Sequence, residues 1–149
     1  REVQKRDRAG IEAKGSAADA TIIMAGQRRG GELRLFLIYT AGNFIEAGED
    51  TPYIQIGEHK YGKPILDRVI RPDTTIEEAV KAALVSMDST VRSNLSVGMP
   101  LDLCVIPANE FKAKSQRIES DHKEFRQISD SWAASLRTAF NALPAVKIE

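Results

Sequence analysis

The residues best placed to do chemistry in this chain are the polar ones of one short loop. Residues 92–98 read R-S-N-L-S-V-G, which puts Ser93, Asn94 and Ser96 within four positions of one another between two apolar segments. Hydroxyl and carboxamide groups at this spacing orient hydrogen bonds, either toward a bound group or toward the loop's own backbone. Loops held between rigid elements are where folds usually keep working groups, so both readings stand. Glu58 with His59 reads either as an acid–base dyad or as a solvated pair at a helix entrance. Asp102 either orients the loop or merely begins the strand that follows. Ser96 lacks the setting of a serine nucleophile, because no histidine is placed beside it by spacing and no G-x-S-x-G elbow surrounds it. Two histidines in the whole chain argue against a metal site.

A helix and a strand must hold this loop. Thr74 and Thr75 are good N-caps, with Glu77 and Glu78 three residues beyond them in a capping-box arrangement that also suits the positive end of a helix dipole. Ile76, Val80, Ala83, Leu84, Met87 and Val91 then recur at three- and four-residue intervals, giving one apolar stripe with Lys81, Asp88 and Arg92 off it. Beyond the loop, Leu101, Leu103, Cys104, Val105 and Ile106 form an apolar run stopped by Pro107, the pattern of a strand buried on both faces.

Composition sets the class. The chain has 149 residues, 42% hydrophobic and 28% charged, enough for one core and one domain. Its 21 basic and 21 acidic residues cancel, so no net field draws nucleic acid or an anionic membrane. A lone Cys104 excludes an internal disulfide and is expected to pack as a small hydrophobe, which fits a reducing, cytoplasmic setting. No apolar run approaches the roughly 20 residues that span a bilayer, and the opening R-E-V-Q-K-R-D-R lacks the apolar centre of a signal peptide.

The opening residues favour helix and carry no Met, so residues 1–18 read as the end of a helix followed by a flexible connection; either a preceding piece was removed or left out, or the chain begins as written. Residues 19–57 then read as antiparallel strands. Residues 21–24 and 33–39 form a hairpin around a polar, Gly-containing turn, residues 44–46 extend it, and residues 53–57 add a short strand. Arg28 and Arg29 are a solvated hairpin tip. Residues 58–93 hold two helices, the first opened by Pro64 and carrying Ile65, Leu66, Val69 and Ile70. The buried strand covers 101–107. A last helix over 121–143 carries Phe125, Ile128, Trp132, Leu136, Phe140 and Leu143 at helical spacing, with Trp132 and Phe140 in the core. Strands first and helices later, without βαβ alternation, give an α+β domain.

In order and spacing, the segments D-A-T-I-I-M-A-G-Q-R-R-G-G-E-L-R-L-F-L-I-Y-T-A-G-N-F-I-E, Y-I-Q-I-G-E-H-K-Y-G-K-P-I-L, T-T-I-E-E-A-V-K-A-A-L and R-S-N-L-S-V-G-M-P-L-D-L-C-V-I resemble the proteasome β-subunit family, in particular its bacterial ancestral β-subunit branch, Anbu. The resemblance implies a four-layer αββα sandwich with two antiparallel sheets, of which this chain would carry the C-terminal portion. It also implies a threonine peptidase whose nucleophile is the hydroxyl of an N-terminal Thr, with the free α-amine as base and a Lys and an Asp in support. Those three groups are not in this chain, which opens on Arg1 and would be inactive alone. The family's Arg-Asp-x-x-Ser-Gly segment, whose Asp and Ser stand beside the threonine amine, matches residues 92–98 with Ser96 at the Ser position. Ser93 stands where the Asp would be, and Glu58 stands where a second family Ser precedes the helix. Peptide or protein substrates, self-association into a ring or open spiral, a missing N-terminal piece as partner and no cofactor follow from the same resemblance. A non-catalytic structural or assembly subunit is the alternative, and an unrelated α+β ligand-binding domain the third reading.

Overall fold

The structure, a computed structural model, describes residues 20–148. The helix end and connection expected for residues 1–18 lie outside the described residues. The chain divides into two compact units, one running to Ile56 and taking in Ala108–Phe111, the other made of Gly57–Pro107 and the chain from Lys112 onward.

The first unit is an antiparallel meander of β1 (Ile22–Gln27), β2 (Leu33–Ile38) and β3 (Phe44–Glu46). Its register runs from Ile22 opposite Ile38 to Gln27 opposite Leu33, and from Phe36 opposite Glu46 to Ile38 opposite Phe44. The expected hairpin is there because Gly30, at φ +76°, supplies the left-handed residue that the turn needs. Arg34 clamps Glu46 with two hydrogen bonds of 2.6 Å and holds that carboxylate below its ordinary range. The side-chain amide of Gln27 donates to Asn109 Oδ1 at 2.9 Å and its oxygen accepts from the Asn109 backbone N–H at 2.7 Å, which ties Ala108–Phe111 to β1. Arg29, at the hairpin tip, lies over Phe111. Residues 53–57, expected as a strand, join none; Gly48 and Thr51 pair across a tight turn ahead of them.

The second unit contains α1 (Lys63–Val69), α2 (Ile76–Ser93), β4 (Leu101–Val105), β5 (Lys114–Ile118) and α3 (Lys123–Asn141). The capping box forms as expected, at Thr75 and Glu78: the Glu78 N–H donates to Thr75 Oγ1 at 3.2 Å and the Thr75 N–H to Glu78 Oε2 at 3.1 Å. Thr74 instead accepts from the Arg71 N–H. The buried arc of α2 is displaced from the apolar stripe, because the helix packs against α1 on one side and α3 on the other. Ala82, Leu84, Val85, Ser86, Asp88 and Thr90 are buried, whereas Ile76 and Ala83 are exposed. Buried Asp88 is compensated by Arg92, whose Nε lies 3.1 Å from both carboxylate oxygens and whose Nη2 donates to Ser129 Oγ on α3 at 2.6 Å.

β4 and β5 pair antiparallel, Leu101 opposite Ile118 and Val105 opposite Lys114. The sequence did not announce β5, since K-S-Q-R-I is polar except for Ile118, a side chain only 2% exposed. Leu84, Ile118 and Phe125 make the core, with Val80, Met99, Leu101, Leu103 and Ile128 against it. β4 is half-buried at alternate positions rather than on both faces, so Cys104 is exposed and does not pack inside as expected. The start of α3 is buried at Phe125 and Ser129, but nothing described covers its last two turns. Phe140, expected in the core, is 73% exposed, and Trp132 is only half-buried. Among the described residues no helix is long and apolar enough to cross a membrane.

The capping box yields a sign-specific expectation. Hydrogen bonds from the Thr75 backbone and then its hydroxyl hold the Glu78 carboxyl below its ordinary value, so its contribution is complete above the ordinary carboxylate range and fades as pH falls through the lowered value. Thr75→Ala is expected to lower unfolding stability by about 1 kcal/mol. Glu78→Gln, which keeps the acceptor and removes the charge, is expected to be less stable than the parent at neutral pH and to converge with it in acid. Urea unfolding at several pH values measures both, and parallel curves down to the acid limit would refute the second.

Candidate functional site

Two chain segments of the second unit meet at the predicted loop. Gly57, at φ +75°, turns the chain into residues 58–61 ahead of α1, and Asn94 caps the end of α2 with its N–H on the Thr90 carbonyl. Gly62 lets α1 sit close to α2, because a Cβ there would collide with Ser86 Oγ and stand 3.1 Å from the Ser86 carbonyl oxygen. Arg92, anchored on Asp88 and Ser129, fixes the other side of the loop's root.

Between these supports Asn94 joins the two segments. Its Nδ2 donates to Glu58 Oε2 at 2.9 Å across 36 residues of sequence. Its Oδ1 accepts from the Ser96 backbone N–H at 2.9 Å and from Ser96 Oγ at 2.7 Å. Glu58 Oε1 also accepts from the Lys60 N–H at 3.2 Å. Glu58, Asn94 and Ser96 therefore form one hydrogen-bonded chain, with Ser96 exposed at its end.

The remaining candidates stand apart. Ser93 ends α2 on its exposed side. Asp102 faces Arg117 across β4 and β5 at 3.0 and 3.2 Å, a cross-strand ion pair rather than a partner of Asn94 or Ser96. His59 turns its Nδ1 to the Gly57 carbonyl at 3.1 Å instead of pairing with Glu58, and His122 lies by Gln116 and Glu124. Among the described residues, both histidines are engaged elsewhere and neither offers Ser96 an imidazole to take its proton. Among the described residues no group of three or more metal-ligating side chains converges.

Sequence reasoning placed Ser96, Asn94 and Glu58 as candidates but did not foresee their linkage. The long-range partner of Asn94 has no local signal. It also missed a cleft of about 500 Å³ lined by Ile65, Val69, Val85 and Trp132 with Arg71 and Lys81 among its polar groups, where Trp132 Nε1 is buried without a partner. A tryptophan at helical spacing reads as core, which gives no sign of a cleft.

No protein-family model and no curated protein matches the sequence. Solved structures do. Anbu (ancestral β-subunit) from Yersinia bercovieri is 48% identical over 99% of this chain with a TM-score of 0.90. The Gly-1 mutant of Anbu from Hyphomicrobium sp. strain MC1 is 47% identical over 99% with a TM-score of 0.89. The chain belongs to the Anbu branch of proteasome-like subunits. A helical assembly of the Anbu complex from Pseudomonas aeruginosa is 45% identical over 98% of the chain, TM-score 0.90. The chain spans 61% of the length of each of these three. The two antiparallel sheets and three helices among the described residues fit the α+β, proteasome-like fold that the resemblance implied.

The Y-G-K-P-I-L-D segment, prominent in this Anbu sequence, carries the close approach of α1 to α2. Gly62→Ala is expected to cost about 1–3 kcal/mol through overpacking. Adding Ser86→Ala removes the hydroxyl but leaves the nearby carbonyl, so it should restore part of the loss. Thermal unfolding of the parent and the two variants checks this, and a neutral Gly62→Ala would contradict the packing.

Proposed function

We propose that this Anbu chain is the C-terminal portion of a proteasome-type threonine peptidase subunit that hydrolyses peptide or related amide bonds when complete. The observation that carries the reading is the Glu58–Asn94–Ser96 chain of hydrogen bonds, a preformed polar end on a subunit 45–48% identical to Anbu proteins. In this reading the nucleophile is the hydroxyl of an N-terminal Thr on polypeptide outside the sequence, and its α-amine is the base. Ser96 stands beside that amine, and Asn94 and Ser93 line the loop. Asp102 serves the β4–β5 pairing. The two compact units are parts of one domain, no cofactor is needed, and the setting is cytoplasmic and bacterial.

The subunits are further proposed to self-associate into a ring or open spiral around their substrate. A helical assembly of the related Pseudomonas aeruginosa complex supports this. Balanced charge gives no reason to invoke nucleic acid or a membrane surface. A non-catalytic assembly subunit is the second reading, favoured by the departures at Ser93 and Glu58 from the proteasome pattern.

Intact mass and N-terminal sequencing of the native subunit, followed by assay on fluorogenic peptides, separate the two. The peptidase reading expects a free N-terminal Thr, turnover, and loss of turnover to background in the Thr→Ala variant. A native subunit without a free Thr and without turnover would establish the assembly role instead.

A further inference from the structure

The orientation of the Asn94 carboxamide is fixed by its neighbours. The Ser96 backbone N–H can only donate, so the atom 2.9 Å from it must be Oδ1, which leaves Nδ2 to face the Glu58 carboxylate. Oδ1 cannot donate, so the Ser96 hydroxyl 2.7 Å away spends its single proton on it. Ser96 Oγ, exposed at the end of the chain, is left with lone pairs only. It is an acceptor, backed by a negative charge one carboxamide away.

An exposed acceptor backed by a carboxylate suits a cation that donates N–H. We propose that Glu58, acting through Asn94, is a positioning residue that stabilises a protonated primary amine at Ser96 Oγ and so raises the pKa of that amine. The inference rests on the peptidase reading, which supplies the amine as the free amino terminus of the nucleophile. Ser93 offers no carboxylate at the loop, and Glu58 brings one from 36 residues away. The charged and titratable side chains next to Glu58 and Asn94 in sequence and on the two adjoining helix ends are His59, Lys60, Lys63, Asp67, Asp88 and Arg92. Lys63 is paired with Asp67 at 2.8 Å and Arg92 with Asp88, while Asp102 is paired with Arg117. Glu58 is thus the carboxylate that the hydrogen bonds of Asn94 and Ser96 reach.

The sign follows from the base role. A neighbouring negative charge favours the ammonium form, and the amine acts only when deprotonated, so activity rises with pH through the amine's pKa. Glu58→Gln keeps an acceptor for Asn94 Nδ2 and removes the charge. In the complete subunit, the acid limb of kcat/KM on a fluorogenic peptide is expected to move to lower pH by about half to one unit in Glu58→Gln. Glu58→Asp, which retains charge, should stay nearer the parent limb. The shift should persist in a His59→Gln background, which excludes His59 as its source. Thermal unfolding of each variant at the assay pH values shows that folding is retained. An acid limb that coincides in the parent and a folded Glu58→Gln overturns the inference while the peptidase reading stands. A parent with a free Thr and no turnover at any pH overturns both.

Discussion

Asn94 is the constraint on which the candidate site depends. One carboxamide binds the turn before α1 to the loop after α2, and it uses both its ends to do so. Without it Glu58 would be a carboxylate in an exposed turn and Ser96 a rotatable hydroxyl. Hydrogen bonds of this kind contribute about 1 kcal/mol each to stability, and those to a charged group somewhat more. Their larger effect is geometric, since they select one direction for the hydroxyl proton and leave the other face of Ser96 to accept.

The helices exist to hold those two segments in reach. The Thr75–Glu78 box starts α2, and the Asp88–Arg92–Ser129 bonds tie its far end to α3. Burying Asp88 is tolerable because its charge is paired where it sits. Gly62 allows α1 to approach α2 at Ser86, so that the turn carrying Glu58 arrives beside Asn94.

Much of this was legible in the sequence because its causes are local. The capping box, the Gly-containing hairpin, the Ser/Asn loop and the 3.6-residue periodicities all act over a few residues. What escaped depends on distant partners. The β5 strand reads as a polar segment until β4 lies beside it, when Arg117 meets Asp102 and Ile118 enters the core. The buried arc of α2 follows its two neighbours rather than hydropathy alone, which is why Asp88 is inside and Ala83 outside. The apolar settings of Phe140 and Cys104 point to the interior, whereas exposure depends on what covers them. The link from Asn94 to Glu58 was likewise invisible, although both residues had been singled out.

The central claim is that Asn94 presents Ser96 as an acceptor to an amine, with Glu58 behind it. A crystal structure of the complete subunit, at a resolution that fixes the Asn94 carboxamide and the amino terminus, tests it most directly. The account predicts Asn94 between Glu58 and Ser96 as described, and an amino-terminal nitrogen about 3 Å from Ser96 Oγ. An Asn94 turned away from Glu58, or an amino terminus bonded elsewhere with Ser96 Oγ unapproached, would contradict it.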